Sequence, residues 1–274
     1  MSTEIDLGEA LAAATVYDLG QPLYDGMPVS ASHPGFRVVL HRRHGDVVRE
    51  DGGSAAADLL VMATHCGTHI DALAHVSADG VLHGGIDAAQ AQSGGSFTSL
   101  GIETMEPLVG PGVLLDVAAA LGVDVLEGGH SIDGQQLEQA ERLAGVSVQA
   151  GDVVLVRTGW ARNYTQGEAF IGFDTGVPGV STSGAQWLAE RGVRATGSDT
   201  LAYERIAPGE GHRVLPVHGI LLVEHGIPII EMLDLERLSA ERVYRFGFVL
   251  CPLKLVGATG SPVRPLALVG RQPG

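Results

Sequence analysis

Three histidines and one carboxylate lie within eleven residues of this sequence, between His65 and His75. The other two members of this group are His69 and Asp71. Neutral imidazole and carboxylate groups are preferred ligands of divalent cations such as zinc and manganese. The pattern therefore predicts a metal site. In the alternative interpretation these are ordinary histidines near a turn, and Asp71 caps a short helix.

The spacing of these residues limits the backbone that could bring them together. On a helix, His65 and His69 would share a face, but Asp71 would point away from it. On a straight strand all three would face the same way, yet the two histidines would lie about 13 Å apart. We therefore expect a turn at Gly67, followed by an extended His69-x-Asp71 segment whose side chains converge.

A second segment rich in ionisable residues runs from Pro216 to Glu231. Pro216 suits the first turn of a helix and Gly226 suits its end. From His218 to His225 such a helix would rise about 12 Å along its axis. A strand from Ile227 to Glu231 would run back about 16 Å. This predicts that Glu231 reaches the level of His218 and could act with it. The alternative is that Glu231 is a cap or a member of an ion pair.

The remaining pattern indicates an α/β protein. Apolar segments at 112–117 and 153–158 are typical of buried strands, and helices are predicted between and after them, at 135–143 and 185–191. No linker or low-complexity segment interrupts the 274 residues. We therefore expect one domain over residues 1–274, with residues 1–14 as an N-terminal extension.

Composition narrows the class of partner and the compartment. The formal net charge of -15 argues against nucleic acid and anionic membranes, because those partners need clustered Lys and Arg. A small neutral substrate fits better. The acidic N-terminus and the lack of a long apolar run predict a soluble, cytoplasmic protein. Two cysteines are too few for a disulfide framework, and Cys66 is interpreted as a small buried residue.

The segment His65-x-Gly67-Thr68-His69-x-Asp71-x-x-x-His75 resembles the motif of the cyclase family, which includes bacterial kynurenine formamidases and isatin hydrolases. Later segments resemble other blocks of that family in the same order, and the likeness covers about residues 15–270. These segments are 151–160, 197–200, 226–231 and 257–262.

The resemblance implies a swivelling β/β/α fold, with a central mixed β-sheet or open barrel flanked by helices. It also implies zinc or manganese as the cofactor, one or two ions per chain, and a homodimer or homotetramer. His75 would be the catalytic acid/base. The implied metal-site residues are His65, His69, Asp71, His218 and Glu231.

The function that follows is hydrolysis of an amide, formamide or lactam by metal-activated water. Three alternatives stay open: a metal-dependent cyclisation or elimination of a polyketide-like or β-dicarbonyl substrate, hydrolysis of a lactone or ester, and a non-catalytic metal- or ligand-binding protein. Leu73 and Val76 depart from the family, where proline and an aromatic residue are common, so the substrate could differ.

Residue types and position in the sequence suggest which segments surround the substrate. The segment 77–100 is predicted to be a loop or lid over the site. His33 shows no ligand spacing and is interpreted as a surface or core residue. The candidates for the pocket wall are Tyr24, Met27, Phe36, Trp160 and Trp187.

Overall fold

A computed structural model of the protein describes residues 6–270, so the first five residues of the predicted N-terminal extension lie outside the described part. The strands are β1 Thr15–Asp18, β2 Arg37–Arg42, β3 Ala57–Val61, β4 His69–Asp71, β5 Val81–Leu82, β6 Ile86–Asp87, β7 Gln92–Ser93, β8 Ser96–Phe97, β9 Leu108–Asp116, β10 Ser131–Ile132, β11 Val153–Arg157, β12 Gly179–Val180, β13 Ala195–Ser198, β14 Ile229–Glu231, β15 Arg245–Leu250, β16 Gly260–Pro262 and β17 Leu266–Val269. The α-helices are α1 Leu7–Ala13, α2 Val117–Ala120, α3 Gly134–Ala144, α4 Glu168–Ile171, α5 Thr182–Glu190, α6 Pro216–His218 and α7 Glu236–Ala240.

A nine-stranded mixed sheet organises the molecule, in the order β1-β17-β15-β9-β11-β13-β14-β4-β16. The four strands β9, β11, β13 and β14 run parallel to their neighbours within this group. Antiparallel strands extend the sheet at both ends. The predicted α/β class with a central mixed sheet flanked by helices is confirmed.

Both faces of the central strands are covered, which explains their continuous apolar sequence. Along β9, Val113 and Leu115 pack in one hydrophobic cluster, and Leu114 between them packs in the other. The first cluster includes buried side chains of α3 and α5. The second includes buried residues of β15 and β17. The sheet therefore separates two cores, and its strand ends are held rigidly.

The helix predicted from Pro216 is present, but only its first turn is α-helical. Residues Gly219–Glu224 continue α6 as a π-helix. The wider π turn is a rare conformation that is common near functional sites. It ends before Gly226, which has a φ of 66° and permits the chain to reverse toward β14.

The segment 77–100 is not the simple loop that its sequence suggests. It forms two small ribbons, β5 with β6 and β7 with β8. His83 lies between the first pair of strands, and its ring Nδ1 is 2.9 Å from the carbonyl oxygen of Val223 in the π-helix. Among the helices of residues 6–270, none has both the length and the hydropathy needed to cross a bilayer.

A buried ion-pair network joins the ends of β9 and β11 to α7. Arg157 donates to Asp116 Oδ1 at 2.9 Å and to Glu236 Oε1 at 2.7 Å. Asp116 and Arg157 are opposite residues of paired strands. Both side chains are almost fully buried. A buried carboxylate that loses its charged partner is strongly destabilising, because the neutral donors left to Asp116, Ala119 N–H and Ser239 O–H, do not replace the positive charge.

We therefore expect Arg157→Met to lower the free energy of unfolding by about 3–5 kcal/mol, measured by denaturant titration. The matched control is Arg142→Met, since Arg142 forms an exposed pair with Glu138 on α3. That change should cost less than about 0.5 kcal/mol. Equal stability of the two variants would contradict the structural role assigned to the buried network.

Candidate metal centre

Strand pairing brings Glu231, from the segment 216–231, next to the histidine motif of residues 65–75. Strand β4 lies between β14 and β16, and Glu231 is directly opposite His69. The turn predicted at Gly67 is present, with a φ of 63°. A Cβ at this position would lie 2.2 Å from a methyl carbon of Leu23. Both the backbone conformation and the tight packing therefore favour glycine here.

His218 approaches the same centre from α6. Its Nε2 lies 3.3 Å from Glu231 Oε1 and 3.6 Å from Asp71 Oδ2. His69 Nε2 lies 3.4 Å from Glu231 Oε2 and 3.6 Å from Asp71 Oδ1. The two carboxylates therefore lie between two imidazoles, all of them buried. The predicted approach of His218 and Glu231 is confirmed.

These separations fit ligands around a cation better than hydrogen bonds. Hydrogen bonds between such groups are usually shorter, at about 2.7–3.2 Å. Two ligands at tetrahedral angles, each about 2.0–2.2 Å from one zinc ion, would be about 3.3–3.6 Å apart. In addition, Asp71 Oδ2 is buried and has no hydrogen-bond partner within residues 6–270. A bound cation would satisfy this oxygen, so the donor set fits a divalent metal.

In His69 and His218 the ring nitrogen that points away from the centre, Nδ1, is hydrogen-bonded, which fixes the orientation of each ring. His69 Nδ1 lies 2.8 Å from the carbonyl oxygen of Gly67, so it must be protonated to donate there. His218 Nδ1 lies 2.6 Å from Glu204 Oε1. In each ring Nε2 is then the nitrogen that faces the carboxylates of the centre. Hydrogen bonds of this kind orient histidine ligands in metal sites.

Glu204 is a residue of the site that the sequence reasoning missed. Besides the ring of His218, its carboxylate accepts the backbone N–H groups of Val217 and His218, at 3.2 and 3.0 Å. It is buried behind α6. An isolated glutamate carries no ligand spacing, so the only signal in the sequence was its position four residues after the family-like block 197–200.

The electrostatics of the centre couple its buried carboxylates to the surrounding imidazoles, and hydrogen bonds to Asp71, Glu204 and Glu231 hold the pKa of His218 well above its usual value despite burial. Burial raises the pKa of Glu231, and the nearby charge of Asp71 raises it further. Burial by itself would raise the pKa of Asp71. The imidazoles of His75, His218 and His65 outweigh this effect and hold the pKa of Asp71 well below its usual value. Burial lowers the pKa of His69 to about 4. The neutral form of His69 is the one that binds a metal.

His65 lies at the edge of the centre with both ring nitrogens engaged. Nδ1 is 2.8 Å from Asp71 Oδ1, and Nε2 is 2.8 Å from Thr259 Oγ1. One of its ring nitrogens still lies within 4.8 Å of a ring nitrogen of His69 and of a carboxylate oxygen of Asp71. A second such group joins Asp71, His218 and Glu231. Asp71 belongs to both groups, with Oδ1 facing the first and Oδ2 facing His218.

The ring of His75 stacks on His65, with the ring centroids 3.9 Å apart. Its centroid is 6.2 Å from that of His218. In the described part of the chain we find no hydrogen bond to its ring nitrogens. Burial lowers the pKa of His75 to about 3, although the charge of Asp71 opposes the shift. At neutral pH this imidazole is therefore an uncharged base close to the centre.

Two residues next to the site carboxylates have a left-handed backbone that side chains other than glycine rarely adopt. They are Met232, after Glu231, and Tyr203, before Glu204, each with a φ of 56°. The carbonyl of Met232 accepts a hydrogen bond from Thr68 Oγ1 at 2.6 Å. The threonine of the histidine motif therefore holds the strained turn that positions Glu231.

A cavity of about 270 Å³, called the metal cavity below, opens in front of these side chains. It is lined by the candidate ligands His65, His69, His218 and Glu231, by His75, and by residues of two loops. These loop residues include Ser30, His33, Leu201, His212 and Leu215.

The cavity wall differs from the one expected. His33 lines it, although its sequence context gave no indication of this. The candidates Met27, Phe36 and Trp160 are instead buried in a hydrophobic cluster with Tyr164. No residue of the segment 77–100 is among those that line the metal cavity. The expected lid is thus absent from the described cavity wall, because its first ribbon packs on the π-helix.

The hydrogen bond between Glu204 and His218 leads to a test that measures metal binding alone. We expect Glu204→Gln to weaken zinc or manganese binding about 10- to 100-fold, because the ring of His218 loses a charged acceptor. Affinity would be measured by competition with a chelator. The control is Glu210→Gln, an exposed glutamate further along the same connection. Wild-type affinity in Glu204→Gln would show that Glu204 does not support a metal ligand.

Comparison with known proteins agrees with this geometry. Residues 17–205 match the family model described as "Putative cyclase". The chain is 30% identical to a kynurenine formamidase from Bacillus cereus over 249 residues, which are 90% of this chain and 94% of that protein.

Solved structures give the same result. Isatin hydrolase A from Ralstonia solanacearum superposes with a TM-score of 0.75 at 26% identity, covering 98% of this chain and 99% of that one. A "predicted metal-dependent hydrolase" from Bacillus stearothermophilus superposes with a TM-score of 0.61 at 28% identity, covering 93% and 98% of the two chains. The chain therefore belongs to the cyclase family, as the motif between His65 and His75 predicts.

Proposed function

We propose that this protein is a metal-dependent hydrolase that cleaves the carbon–nitrogen bond of a small amide, formamide or lactam. The observation that carries the proposal is the buried set of two carboxylates and two imidazoles with donor atoms 3.3–3.6 Å apart. The names of its relatives, kynurenine formamidase and isatin hydrolase, support the reaction class.

A Zn²⁺ or Mn²⁺ ion would be held by residues of two groups that share Asp71. One group adds His65 and His69, and the other adds His218 and Glu231, which would complete the same site or hold a second ion. Nitrogen and oxygen donors suit both metals. A divalent cation in this position supplies Lewis acidity, which polarises a carbonyl group and makes a water molecule more acidic. No protein nucleophile is then required.

His75 moves the proton in this reaction. One of its ring nitrogens accepts a proton from the attacking water, whose oxygen forms a bond to the carbonyl carbon. The same imidazole then donates the proton to the leaving nitrogen as the carbon–nitrogen bond breaks. Two observations support this role: the ring lines the metal cavity, and its nitrogens are not occupied by other described side chains.

The lining of the metal cavity also favours a small uncharged substrate. Its lining contains no lysine or arginine among the described residues that would neutralise an anion. The net charge of -15 further disfavours anionic substrates. A formamide or lactam needs only the polarised carbonyl and a proton donor at nitrogen.

The proposal predicts turnover that depends on both the metal and His75. Protein loaded with Zn²⁺ or Mn²⁺ should hydrolyse members of a panel of aryl formamides, cyclic imides and isatin, with product mass increased by one water. His75→Ala should keep the metal, measured by elemental analysis, and lose activity by about 10²–10⁴-fold.

The control for this test is His225→Ala, an exposed histidine at the far end of the π-helix, which should retain activity. A metal-loaded protein that turned over no member of the panel would contradict the proposed reaction. Products formed without addition of water would favour cyclisation or elimination instead. Full activity of His75→Ala would exclude this residue as the acid/base.

We further propose that the protein self-associates as a homodimer or homotetramer through the hairpin formed by β2 and β3. This hairpin is a separate two-stranded sheet. Val38 pairs with Leu60 on one face, and Val39 pairs with Leu59 on the other. All four side chains are at least half exposed. Isolated two-stranded hairpins are marginally stable in water, and exposed apolar patches mark interaction sites.

A double substitution on one face, Val39→Glu with Leu59→Glu, should shift the protein from oligomer to monomer, measured by light scattering after size exclusion. Buried negative charges would oppose association at this surface. Leu143→Glu is the control, since Leu143 is a single exposed apolar residue on α3. A monomeric wild-type protein, or an oligomer unaffected by the double substitution, would contradict this proposal.

A further inference from the structure

The π-helix connects two candidate ligands of the metal centre. It spans Gly219–Glu224, directly after His218, and the chain then returns to Glu231 on β14. Its hydrogen bonds join residues five positions apart, as from the N–H group of His225 to the carbonyl oxygen of Ile220 at 3.1 Å. An α-helix joins residues four apart, so the π turn inserts an additional residue between the two ligands.

This additional residue sets the direction in which His218 points. Successive residues of an α-helix are rotated by about 100° around its axis. If the segment relaxed to an α-helix while Glu231 stayed in the sheet, His218 would turn by about that angle. Its Nε2 would then leave the carboxylates of Asp71 and Glu231, which lie 3.6 and 3.3 Å away. The geometry of the centre therefore requires the π conformation.

The carbonyl group of Val223 is the weak point of this helix. A π-type hydrogen bond to it would come from the residue five positions later, which is Pro228 and has no N–H group. The N–H group of Ile227 donates to Leu221 instead, at 2.7 Å. The carbonyl of Val223 therefore needs a donor from another segment, and the ring of His83 provides it, with Nδ1 at 2.9 Å.

His83 is held against the end of the π-helix by packing as well as by this hydrogen bond. Leu82 beside it is buried, and strands β5 and β6 form the ribbon that carries both residues. A Cβ at Gly226 would lie 2.6 Å from His83 Nε2, so glycine permits the close approach of the ring. The histidine thus covers the residue at which the chain reverses toward β14.

We infer that His83 is a positioning residue for the candidate metal ligand His218. Its Nδ1–H group stabilises the carbonyl of Val223 and so keeps residues 219–224 in the π conformation. Without this donor, His218 is turned away in part of the population, and the apparent metal affinity falls with the competent fraction. The inference rests on the metal centre of the proposed function. It adds a residue that is not among those lining the metal cavity.

Two substitutions at position 83 separate the hydrogen bond from the packing of the ring. Asparagine keeps a donor where Nδ1 of histidine stands, because both nitrogens are bonded to Cγ. Leucine keeps apolar bulk and has no donor. We expect His83→Leu to weaken Zn²⁺ binding about three- to tenfold, the equivalent of one hydrogen bond. His83→Asn should retain the affinity of the wild type, measured by competition with a chelator.

The matched control is His44→Leu, which should leave Zn²⁺ affinity unchanged. His44 is exposed, and its Nδ1 also lies within hydrogen-bond distance of another side chain, Ser54 Oγ at 3.0 Å. The visible spectrum of Co²⁺-loaded protein gives a second measurement, because it depends on the arrangement of the ligands. This spectrum should change in His83→Leu and be restored in His83→Asn.

Hydrogen exchange of metal-free protein measures the π-helix directly. In His83→Leu the amide of His225, which closes a π turn, should exchange about three- to tenfold faster than in the wild type. Amides of α3 should exchange at the wild-type rate, whereas a general loss of stability would accelerate both.

The outcomes distinguish a positioning role from a structural contact. Faster exchange of His225 with unchanged Zn²⁺ affinity in His83→Leu would overturn the inference, as would unchanged exchange. It would also be wrong if His83→Asn were as impaired as His83→Leu. If no substrate is hydrolysed but the two variants differ in Zn²⁺ affinity as expected, the proposed reaction fails and the role of His83 stands.

Discussion

The structure depends on the cost of burying Asp71 and Glu231 together. Two carboxylates removed from water repel each other, and each loses its hydration. The protein surrounds them with the imidazoles of His69 and His218, which can provide compensating charge or lone pairs. One carboxylate oxygen, Oδ2 of Asp71, still has no partner within residues 6–270. A divalent cation resolves both problems, because it neutralises the charge and satisfies the oxygen.

The surrounding architecture keeps this unfavourable arrangement from relaxing. Asp71 and Glu231 lie on paired strands of the nine-stranded sheet, and both faces of its central strands are covered by hydrophobic clusters. The left-handed backbone at Met232 is held through Thr68. Strained conformations of this kind persist only where neighbouring contacts determine them. Stability elsewhere in the fold thus compensates for a centre that is preorganised for a cation.

The candidate metal ligands and the outer cavity wall are built from different kinds of segment. The candidate metal ligands lie on strands, on the first turn of α6 or at the turn before β4. The outer cavity wall is formed by loop residues such as Ser30, His33 and His212. Relatives with one reaction chemistry can therefore differ in substrate by changes in these loops, which carry little of the core packing.

The sequence alone indicated the cluster of metal-ligand side chains and most elements of the fold. The types and spacing of His65, His69, Asp71 and His75 predicted a metal site, and helix and strand rises placed Glu231 beside His218. The side chains do lie together as this geometry required, because a short segment specifies local geometry. The α/β class and the turn at Gly67 were available for the same reason, whereas the family came from the resemblance of several sequence segments to known ones.

Only the tertiary structure decided what surrounds that chemistry. Glu204, His33 and His212 are distant in sequence from the motif. Nothing in the segments of His33 and His212 indicates contact with it, and Glu204 is marked only by its nearness to the block 197–200. The pocket-wall candidates Met27, Phe36 and Trp160 were chosen by residue type, but apolar side chains are as suitable for a core as for a pocket. Which of these two environments a side chain enters depends on how loops pack together, and that is a property of long-range contacts.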